Sequence, residues 1–311
     1  MANHISKIRV HALDSLGTGD EEKFAFKFLM PLVCFLLLTT AFPLVFSFWV
    51  ALNDVPFSLQ AAGWQFVGVS NFQDALSLGS TWHALYLSLY YAVTVTVLTL
   101  AISMAGALLL NESFAGNRLL LLFSILPMGL STYATAILWR YIYSESLGFI
   151  NSALWHLDLS ELGIQILTNN SAIPLIAVSH SWQMAPFGIS FLLAALQVIP
   201  PDLYRVATVD RLGIIGRFRH VTLPYLYGTV LATSVLFAIA AIKVFDLIYF
   251  STNGGPSGAS TTMTYQIYLQ TFKAYKYGYG AALSYILLFW LVALLLIYFY
   301  FFTKHREVTS G

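Results

Sequence analysis

The sequence predicts an all-α, polytopic membrane protein with six transmembrane helices. Of its 311 residues, 58% are hydrophobic and only 9% are charged, and the mean hydropathy is +0.74. Six apolar runs reach the roughly 20 residues that a helix needs to cross a bilayer, where each backbone polar group must be satisfied internally. Buried helices of a large soluble protein are the alternative, but these runs have almost no polar face. The predicted spans are residues 28–51, 84–110, 118–142, 172–199, 225–250 and 281–302.

Two short tails flank the predicted transmembrane domain, which covers residues 28–302. The N-terminal tail, residues 1–27, is too polar for a signal peptide, and no small-residue cleavage site precedes the first span. The C-terminal tail covers residues 303–311. Cys34 is the only cysteine and lies in the first span, so the sequence excludes an internal disulfide and predicts no metal cluster.

The positions of lysine and arginine predict the orientation of the spans, because these residues are enriched in cytoplasmic loops. Loops 52–83 and 143–171 contain neither residue, and only Lys273 and Lys276 in the loop 251–280 oppose the pattern. Both termini and the loop 200–224 are therefore expected to be cytoplasmic. The basic residues on that side are Lys7, Arg9, Lys23, Lys27, Arg118, Arg205, Arg211, Arg217, Arg219, Lys304 and Arg306.

The loop 200–224, between spans 4 and 5, is rich in charge and is predicted to fold as two short helices. Pro200 and Pro201 end the preceding helix and suit the first turn of a new one. Asp202 then lies where a helix N-terminus favours negative charge. Gly213 is expected to end this helix in a left-handed cap, before a second short helix.

The first of these two helices has a single apolar stripe. Leu203, Val206 and Ala207 recur at i, i+3 and i+4, the spacing of one helix face. A stripe that lies outside the membrane but is tied to it at both ends is expected to dock into another protein. The charged positions that would anchor such a contact are Asp202, Arg205, Asp210 and Arg211.

Polar side chains within the spans form a second candidate site, because they are costly in hydrocarbon and usually face a cavity or a partner. They fall between the membrane centre and the outer ends of spans 3, 4 and 5, where an incoming hydrophilic solute needs hydrogen-bond partners and aromatic faces. For His180, the alternative is a hydrogen bond to a neighbouring helix. The candidate lining residues are Tyr133, Trp139, His180, Trp182, Gln183, Lys243 and Asp246.

A structural role is also the alternative for the charged pair in span 5. Lys243 and Asp246 lie three residues apart and can pair on one helix face, and a buried pair fixes helix register as readily as it contacts a solute. Trp182 and Gln183 are favoured as lining residues because they precede Pro186, which loosens span 4 near the membrane centre.

The loop 200–224 resembles the cytoplasmic "EAA" loop of permease subunits from binding-protein-dependent ABC importers. The matching positions are Leu196, Gln197, Ile199, Pro200, Leu203, Tyr204, Ala207, Asp210, Phe218, Leu223 and Pro224. Where the family has a glutamate, an alanine, a glycine and a second alanine, this chain has Arg205, Val206, Arg211 and Leu212. The segments 67–76, 106–127, 147–151 and 245–256 are similar to the carbohydrate-importer branch, and to the first of its two paired permeases.

The resemblance implies an ABC importer type I permease fold in a prokaryotic plasma (inner) membrane, with this chain as half of a heterodimer with a second permease subunit. Two ATPase subunits would dock under the loop 200–224, and an extracytoplasmic substrate-binding protein would deliver a carbohydrate. Membrane lipid surrounds the spans, and no nucleic-acid partner is expected. The residues implied in ATPase coupling are Asp202, Leu203, Arg205, Val206, Ala207, Asp210, Arg211 and Gly213.

The sequence contains no phosphate-binding glycine loop and no HExxH motif. No cofactor is therefore expected in this chain, ATP and Mg²⁺ would bind the partner ATPase, and the chain is predicted not to be an enzyme.

A secondary transporter driven by an ion gradient is the alternative, with His180, Lys243 and Asp246 as coupling groups, but it leaves the arginine-rich loop unexplained. An intramembrane enzyme would need a paired catalytic constellation, which is absent. Peptide or phosphonate cargo is a further alternative, but the resemblance of the segment 253–256 favours sugars.

Overall fold

A computed structural model of the chain describes residues 18–56, 63–144, 148–157 and 168–310. In these residues long helices form a bundle, and a two-stranded hairpin follows the first span. The elements, in chain order, are α1 (Thr18–Leu36), α2 (Phe42–Ala51), β1 (Asn53–Asp54), β2 (Gln65–Phe66), α3 (Ser70–Ser77), α4 (Gly79–Asn111), α5 (Asn117–Ile125), α6 (Thr132–Ile142), α7 (Phe149–His156), α8 (Ala172–Gln197), α9 (Pro201–Val209), α10 (Ile214–Arg217), α11 (Leu223–Ile242), α12 (Asp246–Ser251), α13 (Met263–Tyr268) and α14 (Tyr277–Ser310). Shorter π-helical segments cover Leu37–Ala41, Phe218–Thr222 and Leu269–Lys273, and a 3-10 turn covers Leu126–Gly129.

Several of these helices are long and apolar enough to cross a membrane. Within the described residues there are four such segments, Phe26–Ala51, Gly79–Asn111, Ile214–Ile242 and Tyr277–Leu296. Two bent pairs also qualify if each pair is one span: Asn117–Gly129 with Thr132–Ile142, bent by 103°, and Ala172–Gln197 with Pro201–Val209, bent by 73°. The structure thus supports up to six spans, and every predicted span overlaps one of these segments.

The first span lies at the edge of the bundle and begins earlier than predicted. Helix α1 starts at Thr18, inside the predicted N-terminal tail, while residues 1–17 lie outside the described residues. Helix α2 packs against α14 around Tyr285, whose hydroxyl donates to the carbonyl of Leu44. Ser47 Oγ lies 3.2 Å from the hydroxyl of Tyr285, and the Phe48 ring meets the Tyr285 ring edge-on at 5.1 Å between centroids. Most of the remaining surface of this span is exposed in the isolated chain.

Helices α4 and α8 pack closely along a seam of small and polar residues. Ser103 Oγ donates to the carbonyl of Ala185 at 3.1 Å, and Ser181 Oγ donates to the carbonyl of Val95 at 3.3 Å. A Cβ atom added to Gly188 would lie 2.2 Å from Ser103 Oγ, so the side chain of Ser103 fills the space beside this glycine. Small residues and cross-helix hydrogen bonds commonly stabilise helix pairs in membranes, where apolar burial between helices gives little driving force.

Span 3, predicted over 118–142, is divided into two helices. Helix α5 gives way to the 3-10 turn Leu126–Gly129, and α6 starts after a bend of 103°. Pro127 lies in that turn, and it has no N–H to continue the helical hydrogen bonds. Ser131 then caps α6, since its hydroxyl accepts from the N–H of Ala134 at 3.2 Å.

The predicted ends of spans 5 and 6 also differ from the structure. Helix α11 ends at Ile242, and residues 243–245 form a non-helical turn before α12. Asp246 is the first residue of α12, where the positive end of the helix dipole favours a carboxylate. Helix α14 instead continues to Ser310, through most of the predicted C-terminal tail.

The hairpin and α3 form a cap at the end of the bundle where α4 begins. Strands β1 and β2 pair antiparallel, with Asn53 opposite Phe66. The side chain of Asn71 fixes α3 to this hairpin, because its Nδ2 donates to the carbonyls of Ala51 at 2.9 Å and Asn53 at 3.1 Å. The resulting cap packs against the start of α14.

Candidate functional site

The coupling loop, residues 200–224, starts as predicted with a helix at Pro201. Asp202 lies in the first turn of α9, and its Oδ1 accepts a hydrogen bond of 2.7 Å from the guanidinium of Arg205. The two side chains are 80% and 79% exposed, respectively. An exposed pair of this kind contributes little stability, typically about 0–1 kcal/mol. Both charges therefore remain accessible to a partner.

The end of α9 differs from the prediction of a left-handed cap at Gly213. Arg211 has the positive φ, at 57°, whereas Gly213 is extended, with φ −68° and ψ 179°. The N–H of Leu212 donates to the carbonyl of Ala207 at 2.9 Å, and that of Arg211 donates to the carbonyl of Thr208 at 3.0 Å. These two bonds form a Schellman motif, which needs a left-handed residue directly after the helix cap. Arg211 occupies the position where the resembling family has glycine, so in this chain an arginine adopts the left-handed conformation.

The predicted apolar stripe of α9 faces the permease itself, so its assignment as the docking face is wrong in part. Ala207 is buried, and Leu203 packs against a core cluster that contains Leu196 and Leu226. Val206 does point outward, with 58% of its surface exposed. The outward apolar row also includes residues that the sequence did not single out, and its members are Val206, Val209, Ile214 and Ile215.

The coupling loop is fixed to three spans through its inward face. The cluster behind Leu203 joins Ala107 of α4, Leu196 of α8 and Leu226 of α11. The hydroxyl of Tyr204 lies 3.0 Å from Thr222 Oγ1, which ties α9 to the segment that leads into α11. The loop therefore packs directly on spans 2, 4 and 5.

At the second candidate site, Gln183 binds protein backbone. Its Nε2 donates a hydrogen bond of 2.9 Å to the carbonyl of Leu130, in the break between the two halves of span 3. A broken helix leaves peptide groups without helical partners, and in a membrane such groups need a substitute. Gln183 supplies that substitute from span 4. If Gln183 also contacts a solute, as predicted, it does so through the atoms of its amide group that this hydrogen bond leaves free.

Aromatic side chains from spans 3, 4 and 5 meet beside this break. The rings of Trp139 and Trp182 lie edge to face, with centroids 5.8 Å apart. Tyr133 meets Phe250 of α12 edge to face at 4.6 Å. Trp139 Nε1 is buried without a hydrogen-bond partner among the described residues. Helix α6 thus carries two of the predicted lining residues: Tyr133 packs against α12, and Trp139 packs against the third, Trp182 of span 4.

His180 is not a lining residue in this structure. Its side chain is 7% exposed, and its Nδ1 lies 2.8 Å from the hydroxyl of Tyr91. The two rings also stack, with centroids 5.9 Å apart. The residue therefore joins α8 to α4, which agrees with the structural alternative given for it above.

Lys243 and Asp246 do not form the predicted pair on one helix face. Lys243 caps the end of α11 and Asp246 begins α12, so a turn separates them. Both residues are exposed, and within the described residues the only ion pair under 4.0 Å joins Arg205 to Asp202. The pairing was wrong because it assumed a helix that continues through residue 245.

Three residues with clear structural roles were missed from the sequence. Leu130 and Tyr91 act as the partners of Gln183 and His180, and neither follows a motif. The hydroxyl of Tyr265 donates to Asn253 Oδ1 at 2.8 Å and to its carbonyl at 3.1 Å, which fixes the turn that begins there. Burial, followed by the neighbouring tyrosines, raises the pKa of Tyr265, so the hydroxyl stays protonated and donates. Spacing alone could not separate this residue from tyrosines at the membrane interface.

The comparisons with known proteins agree on one family. The family model "Binding-protein-dependent transport system inner membrane component" matches residues 97–306, more than half of the chain. The trehalose/maltose transport system permease protein MalF of Thermococcus litoralis is 32% identical over 268 residues, which cover 85% of this chain and 88% of that protein. The sn-glycerol-3-phosphate transport system permease protein UgpA of Yersinia pestis is 31% identical over 263 residues, which cover 82% of this chain and 85% of that protein.

A solved structure with the same fold gives independent support. A chain from the crystal structure of a bacterial alginate ABC transporter, in complex with an alginate pentasaccharide-bound periplasmic protein, superposes with a TM-score of 0.77. The match covers 94% of this chain and 97% of that chain at 20% sequence identity. The predicted type I permease fold is confirmed. The chain belongs to the binding-protein-dependent transport system inner membrane components: it is a multi-pass permease subunit of an ABC importer that works with a substrate-binding protein, and it is not an enzyme.

Proposed function

We propose that this permease forms half of the translocation path for a carbohydrate. It pairs with a second permease subunit, and two ATPase subunits bind the coupling loop from the cytoplasm. Both termini lie on the cytoplasmic side, as the lysine and arginine pattern favours. The extracytoplasmic binding protein delivers the sugar to the opposite face.

The outward apolar row of the coupling loop is the observation that carries this proposal. Val209, Ile214 and Ile215 are each more than 80% exposed. Exposed apolar side chains grouped in this way, with charged neighbours, are typical of a protein-binding surface. Asp202, Arg205 and Arg211 supply the polar rim. Since the inward face of the loop packs on three spans, a moving ATPase can change the orientation of those spans.

Carbohydrate as the cargo is supported by the relatives and by the chemistry of the second site. MalF is named for trehalose and maltose, and the similar structure holds an alginate pentasaccharide on its periplasmic protein. In this chain Tyr133, Trp139 and Trp182 offer aromatic faces where spans 3, 4 and 5 meet. Flat amphipathic rings of this kind combine a broad apolar surface with a polar edge, which suits the C–H faces and hydroxyl edges of a sugar.

The alternative driven by an ion gradient gains no specific support. His180 is bonded to Tyr91 in the bundle interior, and Lys243 and Asp246 lie exposed at the ends of two different helices. These three residues therefore form no connected set of titratable groups.

The direct experiment is to purify the permease with its native partners and measure ATP hydrolysis with the loaded binding protein. The panel is trehalose, maltose, an alginate pentasaccharide and glycerol 3-phosphate. At least one saccharide is expected to stimulate hydrolysis, and Trp182→Ala should reduce that stimulation while the complex stays assembled. Trp155→Ala is the matched control, since Trp155 is 66% exposed on α7, outside the aromatic region. Stimulation by none of the saccharides would contradict the proposal.

A further inference from the structure

A polar pocket lies at the capped end of the bundle, outside the two sites described above. It has a volume of about 470 Å³ and is formed between the hairpin cap and the segment that leads into α14. This volume lies within the range of roughly 300–1,000 Å³ that is usual for small-molecule sites. The side chains that give it chemical character are those of Asp54, Asn71, Asp74, Gln270, Lys276 and Tyr279.

The floor of this pocket is rigid. A Cβ atom on Gly278 would lie 2.0 Å from the carbonyl oxygen of Asn53 and 2.9 Å from Asn71 Nδ2, so α14 touches the hairpin directly. The same Nδ2 donates to the carbonyls of Ala51 and Asn53. These contacts hold the walls together, and a site that needs little rearrangement binds its ligand at a lower entropic cost.

The lining suits a polyhydroxylated ligand. Asp54 and Asp74 offer carboxylate acceptors, Lys276 offers an ammonium donor, and Tyr279 adds a ring with a hydroxyl edge. A saccharide presents neighbouring hydroxyls that donate and accept at the same time, so it can use both kinds of group. Two carboxylates and one ammonium give the lining a net negative charge, which favours a neutral ligand over a strongly anionic one.

The pocket lies at the end of the bundle opposite the coupling loop. Helix α4 starts beside the cap and ends near the coupling loop, and its 33 residues span about 50 Å at 1.5 Å per residue. The pocket and the coupling loop are thus at opposite ends of the bundle. If the coupling loop is cytoplasmic, the pocket faces the side from which the binding protein delivers its cargo.

A row of aromatic rings runs from the helical segment 263–273 to the transmembrane site. Gln270 of this segment lines the pocket, and Tyr268 begins the row from another face of the same segment. The ring of Tyr268 is 5.3 Å from that of Tyr249, and Tyr249 is 4.8 Å from Phe250. Phe250 in turn contacts Tyr133 at 4.6 Å. These rings offer a sequence of stacking surfaces between the two regions.

We propose that this pocket is a saccharide-binding subsite, which holds the carbohydrate through Asp54, Asp74 and Lys276 on its way from the binding protein to spans 3, 4 and 5. The inference rests on the proposed function, because it takes the orientation and the class of cargo from there. It assigns to the hairpin cap a role in cargo binding that is separate from the transmembrane site.

The test measures direct binding of the four panel compounds to the complete permease–ATPase complex in nanodiscs, without the binding protein, by saturation-transfer NMR. Asp54→Asn, Asp74→Asn and Lys276→Gln are each expected to weaken saccharide binding about tenfold or more, the effect of losing a hydrogen bond to a charged group. Lys273→Gln is the matched control, since Lys273 lies over the ring of Tyr268 and does not line the pocket. In a Trp182→Ala background the pocket-dependent signal should persist.

Three results would overturn the inference. The pocket variants could bind the saccharide as the wild type does, or no panel compound could bind the wild-type complex. Alternatively, the variants could bind the saccharide normally and lose affinity only for the binding protein. The pocket would then bind a side chain of the binding protein and not the cargo. These failures are distinct from failure of the proposed function, in which the loaded binding protein does not stimulate ATP hydrolysis in the wild type.

Discussion

Gln183 Nε2 donates a hydrogen bond of 2.9 Å to the carbonyl oxygen of Leu130, across the break that divides span 3. This bond joins span 4 to the point where α5 and α6 separate, so the bend of 103° is stabilised from outside its own helix. A residue first selected as a solute ligand is thus also part of the framework that positions Tyr133 and Trp139.

Replacing Gln183 with leucine should destabilise the permease, because it removes the hydrogen bond to the carbonyl of Leu130 at the break. The expected cost is about 0.5–1.5 kcal/mol, seen as a lower thermal midpoint of the purified complex. Gln197→Leu, at the exposed end of the same helix, is the control and should leave the midpoint unchanged. Equal midpoints for the two variants would show that the bond to Leu130 does not stabilise the break.

Tyr91 and His180 should contribute to stability and not to cargo specificity. Tyr91→Phe leaves the buried Nδ1 of His180 without its partner, at a cost of about 1–3 kcal/mol. Tyr90→Phe is the control, since Tyr90 is exposed and stacks only on Tyr86 among the ring contacts of the described residues. The thermal midpoint should fall for the first variant alone. A change in which saccharide stimulates hydrolysis would instead return His180 to the cargo path.

Arg211→Gly should stabilise the coupling loop. Arg211 adopts φ of 57°, a left-handed conformation that glycine adopts without a steric penalty. Gly213→Ala is the matched comparison, because Gly213 has φ of −68° and a Cβ atom there would meet nothing within 4 Å. The Arg211→Gly complex should resist proteolysis of the loop longer than the wild type. The free energy of local unfolding of the loop should rise by up to about 1 kcal/mol. Faster cleavage of this variant would mean that the Arg211 side chain has a contact worth more than the backbone strain.

Lys243 and Asp246 should not be energetically coupled. A double-mutant cycle with Lys243→Gln and Asp246→Asn measures the interaction directly, and separate residues without a shared contact usually combine additively. The thermal shifts of the single variants should therefore add up to that of the double variant. A coupling energy above about 1 kcal/mol would restore the ion pair that the sequence suggested.

The positions of the spans could be predicted from the sequence because apolar length alone determines where a helix can cross a membrane. The breaks within spans 3 and 5 could not be predicted in this way. Pro127 cannot continue the helical hydrogen bonds, but whether a proline bends a helix slightly or divides it depends on partners such as Gln183, which come from another span. Similarly, the turn at Lys243 lies within an otherwise helical pattern that periodicity cannot resolve.

The site was predictable to the extent that it depended on local sequence. The helix starting at Pro201 follows from proline and aspartate chemistry, and it was predicted correctly. Which face of that helix points outward depends on the spans behind it, so Ala207 was assigned to docking although it is buried. Ile214 and Ile215 begin the helical segment Ile214–Ile242, whereas the sequence predicted span 5 to begin at residue 225, and they were missed for that reason.

Site-specific cross-linking between the coupling loop and the ATPase subunits tests directly whether residues 200–224 bind the ATPase. Cys34 is the only cysteine, so Cys34→Ser gives a background without thiols. In that background, Ile215→Cys should form a cross-linked product with an ATPase subunit, because Ile215 is 81% exposed on the outward row. Ser80→Cys, in the polar pocket at the opposite end of α4, should form none. A product from Ser80→Cys, or none from Ile215→Cys in an assembled complex, would contradict the assignment of residues 200–224 as the ATPase-binding loop.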